Sequence, residues 1–485
     1  MSGARRGVRT RSNVAALTRS IILNVDILQI ILSFLPRGDL SSVSCTSRFW
    51  REWAIKELLS RPVNLGLPKE LESWCRFVLA DENRPTRVRD LSIHLEDLGS
   101  ISKRRAKLLV KFLERATRLR RLFIGLGEAV FDADPGIPSA ISRLPALESF
   151  EVDPWSADAQ ETLNEILLDM KSRLKFLSLH VAFHYLDGRE LWKYEIPRML
   201  APHREHLEEL HLDSPDTRVL EICYPRLRTL KTPVTEVQPR PSSMFKAFPS
   251  LRHLSLSPDL LSEDPFAAIP EDRYPALRHS RVSEQSGGRV WSSLDTLQGL
   301  LIPLYVVGLT CPVRRLEIQR YIVGAHDAAV DVVKSACPQK LVLDIHCRNP
   351  DTAMLREPSL LASGSPDRQH VTHLTLKLRL AYAVPPTRDP LVEYLRLVIG
   401  GSYMREDRLD DAFLLEDWVR HHLRVLNLDS LRDILVGAAT MLRVLAFTIA
   451  IRGQTVWTVD RGGGTATTTE VDPVDARELI RREEA

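Results

Sequence analysis

The chain has 485 residues, 44% of them hydrophobic, and a net charge of only +3. That is material for a large core spread over more than one domain, and a charge so nearly balanced points to neither nucleic acid nor an anionic membrane as a partner. The six cysteines (45, 75, 223, 311, 337 and 347) are scattered without a CxxC pair, and nothing at the amino terminus resembles a secretory signal. Both observations favour reduced thiols in the cytoplasm or nucleus.

Residues 1–20 carry arginines at 5, 6, 9, 11 and 19 and no acid. They read as a disordered, solvated tail, with a transit peptide or a nuclear-entry signal as alternatives. Behind this tail, Ile27, Ile30, Ile31 and Phe34 fall at i, i+3, i+4 and i+7, one face of a helix, with Leu28, Leu32 and Leu35 as a second apolar stripe beside it. Asp26 sits near the start of this helix and Pro36 closes it, since proline has no N–H for the next helical bond. Asp39 is placed to cap a second short helix carrying Leu40 and Val43. Ser47 is placed to cap a third, carrying Phe49, Trp50, Trp53 and Ala54. Three helices in about 40 residues seldom stabilise themselves. The first is apolar over more than one stripe, so part of it packs on its neighbours and the rest needs either a partner or the remainder of this chain.

Leu23-Asn-Val-Asp-Ile-Leu, then Ile31-Leu-Ser-Phe-Leu-Pro, Asp39-Leu40 and Cys45 through Trp50 together resemble an F-box, with Asn24 standing where the family has proline. The resemblance implies a Skp-type adaptor as partner and, through it, a cullin-based ubiquitin ligase. Physically it is an apolar helix docking in a groove. The adaptor-binding residues it implies are Leu23, Ile27, Ile31, Leu35, Leu40 and Trp50, some of which must serve the internal core.

The remainder repeats L-x-x-L-x-L. Copies begin at Val88, Leu119, Leu147, Leu174, Leu207, Leu251, Val313, Val371, Leu423 and Leu442, with weaker ones at Leu227, Leu277 and Pro338. Their mean spacing of about 30 residues lies at the upper edge of leucine-rich repeats, which this region resembles. Amphipathic helices are expected between copies, among them 103–117, 157–170 and 327–336. A strand-then-helix unit cannot bury its apolar face alone, whereas stacked copies share one core. The intervals run from 19 to 52 residues. The position eight after each first leucine, usually Asn or Cys in that family, is Glu96, Gly127, Trp155 or Ala182 in the first four copies. An irregular solenoid that turns by other bonding is therefore expected.

In such a solenoid the residues between the paired apolar positions line the concave face: Ser92, Phe123, Glu151, Ser178, His211, Lys231, Ser255, Arg281, Glu317, Thr375 and Asn427. Binding energy concentrates in aromatic and arginine anchors, which selects Phe123 and Arg281, with His211 as a further candidate substrate contact. Residues 296–313 are uncharged for 18 residues. Two prolines and two glycines there fit a buried helix and turn better than a membrane span.

No catalytic set emerges. Arg461-Gly-Gly-Gly-Thr lacks the Gly-Lys-Ser/Thr ending of a phosphate loop, and there is no GxSxG or HExxH. His203, His206 and His211, with Glu208 and Glu209, have metal-type residues but read as exposed histidines on a polar helix end. No cofactor or metal is called for.

The expected fold is α+β and multi-domain: a basic tail at 1–20, a three-helix F-box at 21–65 and a helical linker at 66–87. An irregular leucine-rich α/β solenoid at 88–458 and a flexible charged tail at 459–485 follow. The expected function is a substrate-recognition subunit of a ubiquitin ligase, without chemistry of its own, binding an unidentified target protein through the repeats. A repeat scaffold without ligase output and a hydrolase hidden in the repeats are the alternatives.

Overall fold

A computed structural model describes residues 25–94, 101–125, 127–153, 160–179, 196–212, 217–234, 240–258, 271–287, 290–321, 326–347, 371–380, 432–433, 444–449, 453–460, 467–472 and 475. The basic tail, Leu23, the repeat copy at Leu423 and Asn427 lie outside the described residues.

The chain begins with α1 (Val25–Phe34), α2 (Arg37–Ser44) and α3 (Arg48–Ser60). Leu28, Leu32, Leu40 and Ala54 form a small buried core, rimmed by Leu35, Val43, Trp50, Trp53 and Leu58. Pro36 separates α1 from α2 as expected. Ser47 caps α3, its hydroxyl accepting the Trp50 N–H at 3.3 Å. Asp39 is not a cap: α2 starts earlier, with Pro36 at its N-cap, and Asp39 lies in the first turn, where its charge complements the helix dipole.

Next come β1 (Val63–Leu65), α4 (Pro68–Leu79), β2 (Asp90–Ile93), α5 (Lys103–Arg115), β3 (Arg121–Gly125), β4 (Ser149–Asp153), β5 (Phe176–Leu179) and β6 (Glu209–Leu212). The later strands are β7 (Thr229–Val234), β8 (His253–Pro258), β9 (Leu294–Leu300), β10 (Val313–Tyr321), β11 (Lys340–Cys347) and β12 (His373–Leu380). The last are β13 (Val444–Ile449), β14 (Gly453–Asp460) and β15 (Thr467–Glu470). Strand order in space is strand order in sequence. Every pairing from β1 to β13 is parallel, while β14 and β15 add antiparallel strands. Helices lie between many of the strands, including Gln160–Asp169 and His326–Ala336 close to the expected positions.

The parallel register explains the leucines. Leu91, Leu122, Phe150, Leu177, Leu210, Leu230, Leu254, Leu297, Leu316, Leu341 and Leu374 are successive partners across the sheet. All are buried in one continuous core. At the start of each strand from β3 to β9 a backbone bond reaches back to the preceding strand. The amides of Arg120, Glu148, Lys175, Glu208, Arg228, Arg252 and Asp295 donate in succession to the carbonyls of Arg89, Arg120, Glu148, Lys175, Glu208, Arg228 and Arg252 at 2.7–2.8 Å.

Several expectations need correction. The sheet starts at β1, ahead of the first repeat copy, and Ile55 and Leu59 of α3 already belong to its core. The copy at Leu277 is no strand. It lies in the helix Tyr274–Gln285, whose buried residues Tyr274, Arg278 and Gln285 follow a helical rather than an alternating period, and Ser280 stands where a second leucine was needed. The strand of that repeat is β9, in the region expected to be a buried helix, of which only Leu301–Val307 is helical. Gly299 disguises β9 because it replaces the last leucine of the pattern. A Cβ there would meet the Leu256 carbonyl oxygen at 2.5 Å, so the close approach of the two strands demands glycine. Finally, Thr467–Glu470 of the expected flexible tail forms β15, consistent with the strand propensity of its three threonines.

Candidate functional site

The two apolar stripes of α1 have opposite fates. Leu28 and Leu32 face the small core, each 1% exposed. Ile27, Ile30, Ile31 and Phe34 are 48%, 57%, 42% and 83% exposed. Single exposed apolar residues are ordinary, but four on one helix face are a patch that monomers seldom leave in water. Phe49 of α3 is a further exposed ring, 6.1 Å edge-on from Trp50.

The end of α1 is fixed by a residue that sequence reasoning missed. Pro36 interrupts the chain where the last carbonyls of α1 run short of helical donors, although that of Leu32 accepts the Leu35 N–H at 3.2 Å. Arg61, one residue beyond α3, supplies them. Its Nη1 donates to the Leu35 carbonyl at 2.6 Å and its Nη2 to those of Leu32 and Ser33 at 3.0 and 2.8 Å. Glu57, four residues earlier on α3, holds Arg61 Nε at 3.1 Å. A planar guanidinium can serve several acceptors at once, which an ammonium cannot do as well. The only sequence signal was the Glu57–Arg61 spacing.

Of the expected adaptor contacts, Ile27 and Ile31 therefore lie on the open face. Leu35 and Trp50 are half-buried at its rim, and Leu40, fully buried, serves the internal core and presents no surface. Ile30, Phe34 and Phe49, not among the residues chosen, are more exposed than Ile31.

The second set forms one row across the sheet, mostly half-buried, with Ser178 fully buried rather than open to a partner and Lys231 exposed. Ser92, Phe123, Glu151, Ser178, His211, Lys231 and Ser255 are consecutive register partners, as expected for one row. Gln298 follows Ser255 where Arg281 had been placed. Arg281 sits on the helix Tyr274–Gln285 instead, so it is no strand-face contact. Phe123 stacks on His94 with ring centres 4.2 Å apart. His211 Nε2 lies 2.7 Å from Glu209 Oε1, with the Phe176 ring edge-on at 4.9 Å. Burial and the neighbouring Lys231 lower the His211 pKa against the opposing pull of Glu209 and Glu151.

The histidine cluster is taken apart by the fold. His203 is buried rather than exposed: Nε2 donates to the Leu167 carbonyl at 3.0 Å, meeting one of the last carbonyls of the helix Gln160–Asp169. Its burial lowers its pKa. Among the described residues no three His, Cys, Asp or Glu side chains are grouped to hold a metal. Burial pushes the thiols of Cys75 and Cys311 up to about 12 and about 11, which leaves them protonated and poor nucleophiles. Among the described residues no helix is long and apolar enough to cross a membrane.

The site is thus a three-helix unit with one apolar face open to solvent, fused to a body of parallel strands and helices. Residues 21–59 match the F-box domain, and the chain carries that domain ahead of its sheet. No curated protein matches the chain.

Proposed function

We propose that this chain is a substrate-recognition subunit of a cullin-based, SCF-type ubiquitin ligase. Its F-box face binds a Skp-type adaptor, which links it to the cullin, and the sheet body holds a target protein. The observation that carries this reading is the open face of Ile27, Ile30, Ile31 and Phe34 inside the stretch that matches the F-box. Each such side chain contributes about 1.5–3 kcal/mol when a partner takes it fully out of water. The body is read as an irregular leucine-rich solenoid, supported by in-order parallel strands and the stacked leucine ladder. Catalysis is by proximity alone, with no reacting group supplied by this chain.

The test is a pull-down of the adaptor by the full chain and by the Ile31→Asp and Phe34→Asp variants. Both positions are exposed, so the variants keep the parent Tm. The intact chain is expected to retain the adaptor, and each variant to lose at least about tenfold in affinity. An intact, folded chain that retains no adaptor would sink the reading.

A further inference from the structure

We infer that the cleft between α4 and α5 is a docking site for an acidic peptide segment of a partner protein. The cleft, of about 560 Å³, is lined by Arg76, Lys103, Arg104, Lys107, Leu108 and Lys111. Five of these six side chains are cationic and none is acidic. The two helices are tied together by Glu72, which accepts from Arg76 and Arg104 at 2.9 Å and from Arg105 at 3.2 Å. Trp74 of α4 meets Phe112 of α5 edge-on at 4.7 Å, which packs the two helices together. One carboxylate shared by three guanidinium groups leaves the site strongly positive.

The lysines are the informative residues. Lys103, Lys107 and Lys111 enter no ion pair among the described residues. Like charges at i, i+4 repel and weaken a helix. Packing does not require them either, because α5 is anchored through Ala106, Leu109, Phe112 and Leu113 on its other side. Four residues of helix rise about 6 Å, so the three ammonium groups form a row with that repeat. An extended peptide presents the side chains of one face about 6.6 Å apart, so alternate Asp or Glu residues meet successive lysines. A nucleic-acid strand would need aromatic surface for its bases, and no aromatic side chain lines the cleft. The site lies on α4 and α5, outside residues 21–59.

The experiment is fluorescence anisotropy of a short labelled peptide of alternating Asp and Ser, titrated with the full chain. Saturable binding is expected, weakening roughly tenfold between about 50 and about 300 mM salt as the exposed charges are screened. The triple variant Lys103→Glu/Lys107→Glu/Lys111→Glu is expected to lose binding at an unchanged Tm. The control Lys171→Glu/Lys246→Glu/Lys334→Glu, with the same net charge on exposed sites elsewhere, is expected to keep it. Equal loss in both triple variants would reduce the effect to net charge and overturn the assignment. So would no binding by the intact chain, or tighter binding of oligouridylate or of phosphatidylserine vesicles than of the peptide.

Discussion

The helical unit and the sheet body solve the burial of apolar surface in opposite ways. From β1 onward, stacked strands and helices bury their leucines in one continuous cluster. α1–α3 enclose only Leu28, Leu32, Leu40 and Ala54 as fully buried residues. Among the described residues every exposed large hydrophobic side chain lies between Ile27 and Phe77, and none beyond α4. Five of these seven lie on α1 and α3 of the helical unit, whereas the body exposes only Leu67 and Phe77, beside and on α4, among the described residues. α3 bridges them, giving Ala54 to the small core and Ile55 and Leu59 to the large one. A unit too small to be stable by itself is thereby anchored to a larger one.

That contrast is sharpest under large-to-small substitutions in the two cores. Phe150→Ala removes a fully buried ring from the leucine ladder and is expected to cost about 3–5 kcal/mol. Because Ile55 and Leu59 share that core, denaturant unfolding followed by tryptophan fluorescence and by circular dichroism should shift together. Leu40→Ala should cost about 2–5 kcal/mol but only in the small core. It should split off an early transition seen by Trp50 and Trp53 while the sheet signal stays put. Coincident transitions in Leu40→Ala would show that the two parts unfold as one.

Arg61→Ala tests the strap between α3 and the end of α1. Losing its hydrogen bonds to three carbonyls is expected to cost about 1–3 kcal/mol and to raise amide exchange in α1, with Arg61→Lys giving little rescue. Ser47→Ala removes the cap of α3 and should cost about 1 kcal/mol.

The smallest effect is a pH dependence confined to the body. Burial holds the folded-state pKa of His203 below its ordinary 6.5, so the unfolded chain binds the proton more readily. Stability from this residue is present above pH of about 6.5 and is lost as pH falls from there through the folded-state value. His203→Gln should flatten that slope, read as Tm against pH. An unchanged slope would remove His203 from the account.

Much of this was legible in the chain. The apolar spacing placed α1, the helices between repeats and eleven of the strands that were looked for. It did so because burial of one face imposes a period of 3.6 on a helix and 2 on a strand. The places where the pattern misleads are equally instructive. Leu277 begins a run that satisfies the repeat in part, yet the larger buried face of Tyr274, Arg278 and Gln285 makes it a helix. Arg278 is buried there because its guanidinium donates to the Tyr305 and Asp331 carbonyls and to Ser335 Oγ, partners 27 to 57 residues away that no local pattern announces. Gly299 hid a strand for the converse reason, since the approach of β8 forbids the side chain that would have marked it.

By itself the sequence determined where most of the helices and strands form, that the leucines recur at strand spacing, and that an F-box-like stretch precedes them. Only the tertiary structure decided which stripe of α1 is surface. Ile27, Ile30, Ile31 and Phe34 are as apolar as Leu28, Leu32 and Leu35, and side by side on one helix the two stripes are equivalent to any local rule. The placement of α2 and α3, fixed by Leu40, Ala54 and the reach of Arg61 across to α1, covers one stripe and leaves the other in water.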